Sequence, residues 1–174
     1  AVVAYRTAYL KAYYPAEFMA ATLNSFLGNL DKIPQYIDEC KSLGIQILKP
    51  EINKSSTKFT VEGNLAIRFG LGSIKNVGKA PVDSIVEERE KHGEYKNFID
   101  FCERIADEGV NKKCIESLIK AGAFDEFEQT RSTLLASFEG IMDTIQSGKK
   151  KGMSGQVSMF DLGSEEEKEE MNEM

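Results

Sequence analysis

The stretch Gly70–Glu90, GLGSIKNVGKAPVDSIVEERE, decides how the chain is read. Leu71, Ile74 and Val77 recur at helical spacing in its first half, and Val82, Ile85 and Val86 do so in its second. The expectation is helix, tight turn, helix. Asn76 and Gly78 are the residues most able to take a left-handed conformation in the turn, and Pro81 is tolerated in the first turn of the following helix. Backbone N–H groups of Gly78, Lys79 and Ala80 would then stand without partners at a helix N-terminus, where the dipole favours an anion. A nucleic-acid phosphate fits that requirement. Gly78 permits close approach because it has no side chain, and Lys75 and Lys79 add charge that positions a backbone without reading sequence. Lys75, Asn76, Val77, Gly78, Lys79 and Ala80 are therefore the first candidate DNA-binding set. The competing reading is an ordinary helical turn with solvated lysines.

A second unit of the same kind follows. Phe98, Phe101, Cys102 and Ile105 form one helical face, ADEGVN (106–111) makes a turn, and Cys114, Ile115, Leu118 and Ile119 form the next face, which Gly122 ends. Asn111 is the expected N-cap. Lys112 and Lys113 fall in the first turn, where the dipole disfavours cations, which points to an anionic partner; a plain solvated helix start is the alternative. Asn111, Lys112 and Lys113 complete the candidate DNA-binding set. Two such units in tandem make a helix-hairpin-helix module that would straddle a groove and hold both strands of double-stranded DNA, whatever its sequence.

Upstream, Pro15 suits the first position of a helix carrying Met19, Leu23, Phe26 and Leu27, with Gly28 as a stop. Ile33, Ile37 and Cys40 repeat the pattern, with Asp31 expected as N-cap and Gly44 as terminator. The period then changes to two at Ile45 and Ile47, at Phe59 and Val61, and at Leu65, Ile67 and Phe69. Gly63-Asn64 is expected to close a two-residue hairpin between the last two runs. Downstream, Leu134, Phe138, Ile141 and Ile145 define one more amphipathic helix. The fold class read from this is mainly α with a small antiparallel or mixed β-sheet and a tandem helix-hairpin-helix module. The expected organisation is a helical and sheet region over 1–69, the module over 70–128, the helix over 129–146, and a linker with an acidic tail over 147–174.

Composition sets limits on this reading. With 174 residues, 41% of them hydrophobic, the chain can bury a core of its own. Three cysteines without CxxC spacing argue against a disulfide framework or a zinc site and fit a reducing cytoplasm. No apolar run approaches the roughly 20 residues of a membrane span, so no membrane partner is expected. The net charge of −6 is concentrated at one end: residues 161–174 hold seven of the 28 acids and one of the 22 bases, which leaves 21 of each elsewhere. Without a global basic field, any grip on DNA must come from local geometry. The opening residues AVVAYRTAYL read as the middle of a helix, which suggests a piece of a longer polypeptide.

No catalytic set emerges. Asp31, Asp38, Asp83, Asp100 and Asp125 are scattered over caps, turns and helix faces, whereas a two-metal site needs clustered carboxylates. His92 reads as a surface residue at a helix end. No metal ligand and no cofactor is expected within the chain.

The segments AYRTAYLKAYYPAEFMAATLNS (4–25), YIDECKSLGIQILKPEINKSSTKFTVEG (36–63), IRFGLGSIKNVGKAPVDSIVEERE (67–90), FIDFCERI (98–105) and VNKKCIESLIKAGAFDEF (110–127) together resemble the bacterial DNA polymerase III α subunit. The resemblance runs in continuous order to about residue 140. It implies that the first part closes a fingers subdomain and that the hairpin module contacts duplex primer-template leaving an active site. The nucleotidyltransferase carboxylates and their Mg2+ would lie in a palm domain outside this chain. Asn76 stands where the commonest hairpin form has glycine, which implies a slightly less close phosphate seat. Gln156-Val157-Ser158-Met159-Phe160 resembles the pentapeptide by which bacterial polymerases bind the sliding clamp, matching at Gln156, Ser158 and Phe160, with Met159 in place of leucine and Val157 departing from the usual leucine. A glutamine amide can bond at a pocket's lip while Met159 and Phe160 fill its apolar interior. Other polymerase III holoenzyme subunits are further implied partners. A pure interaction module with structural hairpins, and a free-standing repair hairpin module, are the alternative readings.

Overall fold

The computed structural model describes residues 1–150. The chain begins with α1 (Val2–Tyr13) and α2 (Pro15–Ser25), separated where Pro15 pushes Tyr14 out of the helical region, to φ −134° and ψ 59°. α1 buries none of its residues, while α2 buries Ala16, Met19, Ala20 and Leu23. A 3-10 turn at Leu30–Lys32 runs directly into α3 (Ile33–Ser42). Asp31 is therefore inside that turn and caps nothing, contrary to expectation; Pro34, in the first turn of α3, presets the backbone for the start instead.

Three short strands follow, β1 (Gln46–Leu48), β2 (Thr60–Glu62) and β3 (Ala66–Arg68), in the order β1-β3-β2. β3 is central, parallel to β1 and antiparallel to β2, so the sheet is mixed. Ile47, Ile67 and Val61 lie in register across it and face the core formed with α2 and α3. The β2-β3 connection has three residues, not the expected two, because Glu62 pairs with Ala66. Gly63 supplies the positive φ of 65°, and the Leu65 carbonyl is used to accept the Gln46 amide of β1 at 2.9 Å. Leu65, read from the sequence as part of the inward-facing strand pattern, is 47% exposed as a result.

The second half carries α4 (Lys79–His92), α5 (Phe98–Ile105), α6 (Lys112–Ala121) and α7 (Arg131–Lys150). Val82, Ile85, Phe98, Phe101, Ile115, Leu118 and Phe124 form one core, onto which α7 docks Leu134, Phe138, Ile141, Met142 and Ile145. α7 is thus part of the hairpin core. It also continues through Lys150, so Ser147–Lys150 extend the helix and do not belong to the linker expected from residue 147.

Phe69 packs against both cores. Between them Arg68, 6% exposed, meets Glu51 at 2.8 Å and Glu62 through Nη2 at 2.8 Å, and donates to the Lys49 carbonyl. The Ile52 amide reaches the Ala123 carbonyl beyond α6 at 2.8 Å. The sheet and the hairpin half are therefore fixed to each other on the same stretch of chain that leads into the site.

Candidate nucleic-acid interface

The first hairpin is built differently from its sequence pattern. Its leading limb is a single 3-10 turn, Leu71–Ser73, after which Ile74 is extended at φ −83° and ψ 129°. The expected helix over these residues fails because the Leu71 and Gly72 amides donate out of the turn, to the carbonyls of Ser56 at 2.9 Å and Thr57 at 3.0 Å. Glycine is required for that approach: a Cβ on Gly70 would lie 2.5 Å from the Lys58 carbonyl carbon, and one on Gly72 would lie 2.7 Å from the Thr57 oxygen. The segment 56–58 thus braces the hairpin from outside.

The turn itself places Asn76 at φ 65°, the left-handed conformation that an asparagine tolerates. Gly78 is not left-handed as the sequence suggested; it is extended at φ −74° and ψ 160° and serves as the N-cap of α4 without any side-chain cap. Its absent side chain leaves the helix end open. Pro81 has no N–H, and the first bond of α4 is Val82 N–H to the Gly78 carbonyl at 3.3 Å. Among the described residues, the amides of Gly78, Lys79 and Ala80 donate to nothing, and all three residues are exposed. Val77 differs from its neighbours, since its side chain is buried in the hairpin core and only its backbone faces the turn.

The second hairpin matches its sequence closely. Gly109 takes φ 70° in the 106–111 loop, the Asn111 side chain accepts the Cys114 amide at 2.8 Å, and Gly122 closes α6 in the left-handed region at φ 84°. Lys113 is exposed and without an ion pair among the described residues, whereas Lys112 is held by Asp143 of α7 at 2.6 Å.

The two turns open onto one groove of about 850 Å³. Asn76, Gly78 and Lys79 line it from the first hairpin, and Asn111 and Cys114 from the second. Leu27, Leu30 and the Thr57-Lys58 step form further walls, and among the described residues no carboxylate lines it. Lys58, Lys75 and Lys79 form no ion pair among the described residues, in a chain whose lysines elsewhere are often paired. The nearby Asp83 of α4 is engaged by the Thr57 hydroxyl at 2.7 Å. Unpaired lysines and open amides at such a groove are groups that could attract an anion by Coulomb force and hydrogen bonding together. Thr57, Lys58, Leu27 and Leu30 were not legible as site residues, since the sheet topology, not any local motif, carries them there.

Among the described residues, no group of three His, Cys, Asp or Glu side chains could hold a metal. Asp100 caps the start of α5 by accepting the Lys96 amide at 2.9 Å, and Asp125 receives Arg131 Nε at 2.8 Å. His92 is exposed at the end of α4 beside Glu88, as read. All three cysteines are buried, and burial pushes the Cys40 and Cys114 thiols up to about 11 and Cys102 up to about 12, so they stay protonated and inert. The pentapeptide Gln156–Phe160 lies outside the described residues.

Residues 44–134 match the helix-hairpin-helix motif family, more than half of the chain. The chain is 45% identical over 159 residues to DNA polymerase III subunit alpha of Borreliella burgdorferi, covering 91% of this chain and 14% of that protein. It is likewise 45% identical over 170 residues to the same subunit of Chlamydia pneumoniae, covering 98% and 14%. Against the subunit of Thermus aquaticus it is 43% identical over 159 residues, covering 91% and 13%. The chain thus spans about one seventh of the length of the curated relatives it matches. With both hairpins formed and the matches continuous through them, the chain belongs to the helix-hairpin-helix motif family, in the form carried by a segment of bacterial DNA polymerase III subunit alpha.

Proposed function

We propose that this chain holds duplex primer-template DNA without sequence preference and docks on a sliding clamp, serving the processivity of a replicative polymerase whose catalytic carboxylates and Mg2+ lie in a palm domain outside it. The supporting observation is the set of three exposed amides at Gly78, Lys79 and Ala80, unpartnered among the described residues, the first two at a groove that no described acid lines and that also takes in the N-cap of the second hairpin. Phosphate oxygens accept such amides with charge-assisted hydrogen bonds, and Lys75 and Lys79 add the salt-dependent part. Similarity to a polymerase subunit supplies the replication context and agrees with a sequence-independent grip. Gln156–Phe160 is the clamp-docking element in this reading, and the cytoplasm the compartment.

The test is fluorescence anisotropy with duplexes of two unrelated sequences, repeated over a range of salt. Binding should be equal for both duplexes and fall steeply with salt. Gly78→Val is expected to fold, because a Cβ there meets only the Pro81 ring at 3.4 Å and φ suits any residue, and its melting temperature checks this. It should weaken binding about tenfold or more by covering the amides, each such bond to a charged group being worth about 1.5–3 kcal/mol. Undiminished binding by that variant would refute the reading. Capture of the clamp by wild type and its loss in Phe160→Ala tests the second half separately, and clamp capture without DNA binding would instead support a pure interaction module.

A further inference from the structure

We infer that Lys58, which precedes β2 and belongs to neither hairpin, is a further phosphate-contacting cation of the same groove, so the duplex seat is composite and includes the sheet half of the molecule. This rests on the duplex-holding reading above and extends it to a residue outside the motif. Lys58 is exposed, lines the same groove as Gly78 and Lys79, and has no ion pair among the described residues. Its backbone is unusually well fixed for a surface lysine. The Ser56 hydroxyl donates to its carbonyl at 3.1 Å, and on its two sides the Thr57 and Phe59 main chains are bonded to Gly72 and to Asn24. The Thr57 hydroxyl ties the same step to Asp83 of α4, the helix whose N-terminus is the seat. Gly70 and Gly72 have no room for a side chain because they press on this step. The backbone of Lys58 is therefore set at a constant position relative to the open amides, which limits the main-chain ordering needed when its side chain meets a ligand.

A phosphate contact has a signature that a structural lysine lacks. Each one adds about 0.9 to the slope of log affinity against log salt, regardless of DNA sequence. In the full 174-residue chain, Lys58→Gln should lower duplex affinity several-fold and flatten the slope by about one. Lys58→Arg should restore both. Lys96→Gln is the control, since Lys96 is also exposed and unpaired among the described residues but lies off the groove; it should leave the slope unchanged. A Lys58→Gln slope equal to wild type, or equal losses for Lys58 and Lys96, would overturn the inference while leaving the seat at Gly78 standing. Absence of wild-type binding would overturn both. Thermal melting of all variants at the wild-type temperature is expected, because Lys58 and Lys96 are both exposed.

Discussion

The two hairpins share a sequence logic but solve the same problem in opposite ways. The second is closed by its own helices and by α7: α5 buries Phe98, Phe101, Cys102 and Ile105, Asn111 caps α6 with its side chain, and Asp143 of α7 neutralises Lys112. The first has a leading limb of one 3-10 turn, a glycine in place of a capping side chain, and no acid at its helix start. It depends on the 56–58 segment to hold its shape. The difference teaches that the hairpin with the weaker local structure is the one with open backbone donors, because the groups that would stabilise it internally are those the proposed ligand would use. The largest effect that could break this comparison comes from the brace. Gly70→Ala forces a Cβ into backbone atoms at 2.5 and 2.8 Å, so the segment 58–59 must shift, at a cost of about 3 kcal/mol or more. For a domain of this size that is a fall in Tm of roughly 6–12 °C, and a melt within 2 °C of wild type would show that the first hairpin stands without its brace.

A smaller loss is expected in the second hairpin, where the support is a single side chain. Asn111→Ala removes the acceptor of the Cys114 amide and should cost about 1 kcal/mol. Chemical denaturation would read this as a lower midpoint with an unchanged slope. A neutral result would mean that α6 is held by its buried face alone. Smaller still is the effect of freeing Lys112. Asp143→Asn removes its partner at 2.6 Å while leaving both residues part of exposed surface. Duplex affinity should rise by about twofold, the scale of an exposed ion pair, and the salt slope should steepen. A fall in affinity would show that Asp143 orients Lys112 toward DNA instead of competing for it.

What the sequence revealed and what it hid divide along the same line. Asn76 at positive φ, the Asn111 cap and the Gly122 terminator are local chemistry, each decided within a few residues, and each was legible. The core faces of α5 and α6 followed from periodicity alone. Gly70 and Gly72 were misread as part of a helix because their role is to meet Ser56, Thr57 and Lys58, a contact that no periodicity encodes. Lys112 with Asp143, 31 residues apart, is hidden for the same reason. Arg68 follows the strand's alternation only until Glu51 and Glu62 enclose it, and Leu65 left the core because its carbonyl was needed by β1. The walls of the groove at Leu27, Leu30 and Lys58 are tertiary products, whereas its floor at the two turns is written in the motif.

The smallest predicted effect is the sharpest test of that division, because its two readouts carry opposite signs. Gly78→Asn gives α4 the side-chain cap that α6 already has. Asparagine exceeds glycine at an N-cap by only a few tenths of a kcal/mol, so Tm should rise by about a degree. The side-chain oxygen would accept an amide in the first turn of α4, and the residue's bulk would stand over the seat. Duplex binding should therefore weaken while the fold becomes more stable, the behaviour expected where a protein keeps a local vacancy for a ligand. If the variant gains stability and binds as well as wild type, the amides of α4 are not what DNA contacts. If it loses both, Gly78 is needed for the turn itself. Only the divergence of the two readouts is consistent with an uncapped helix end serving as a binding surface.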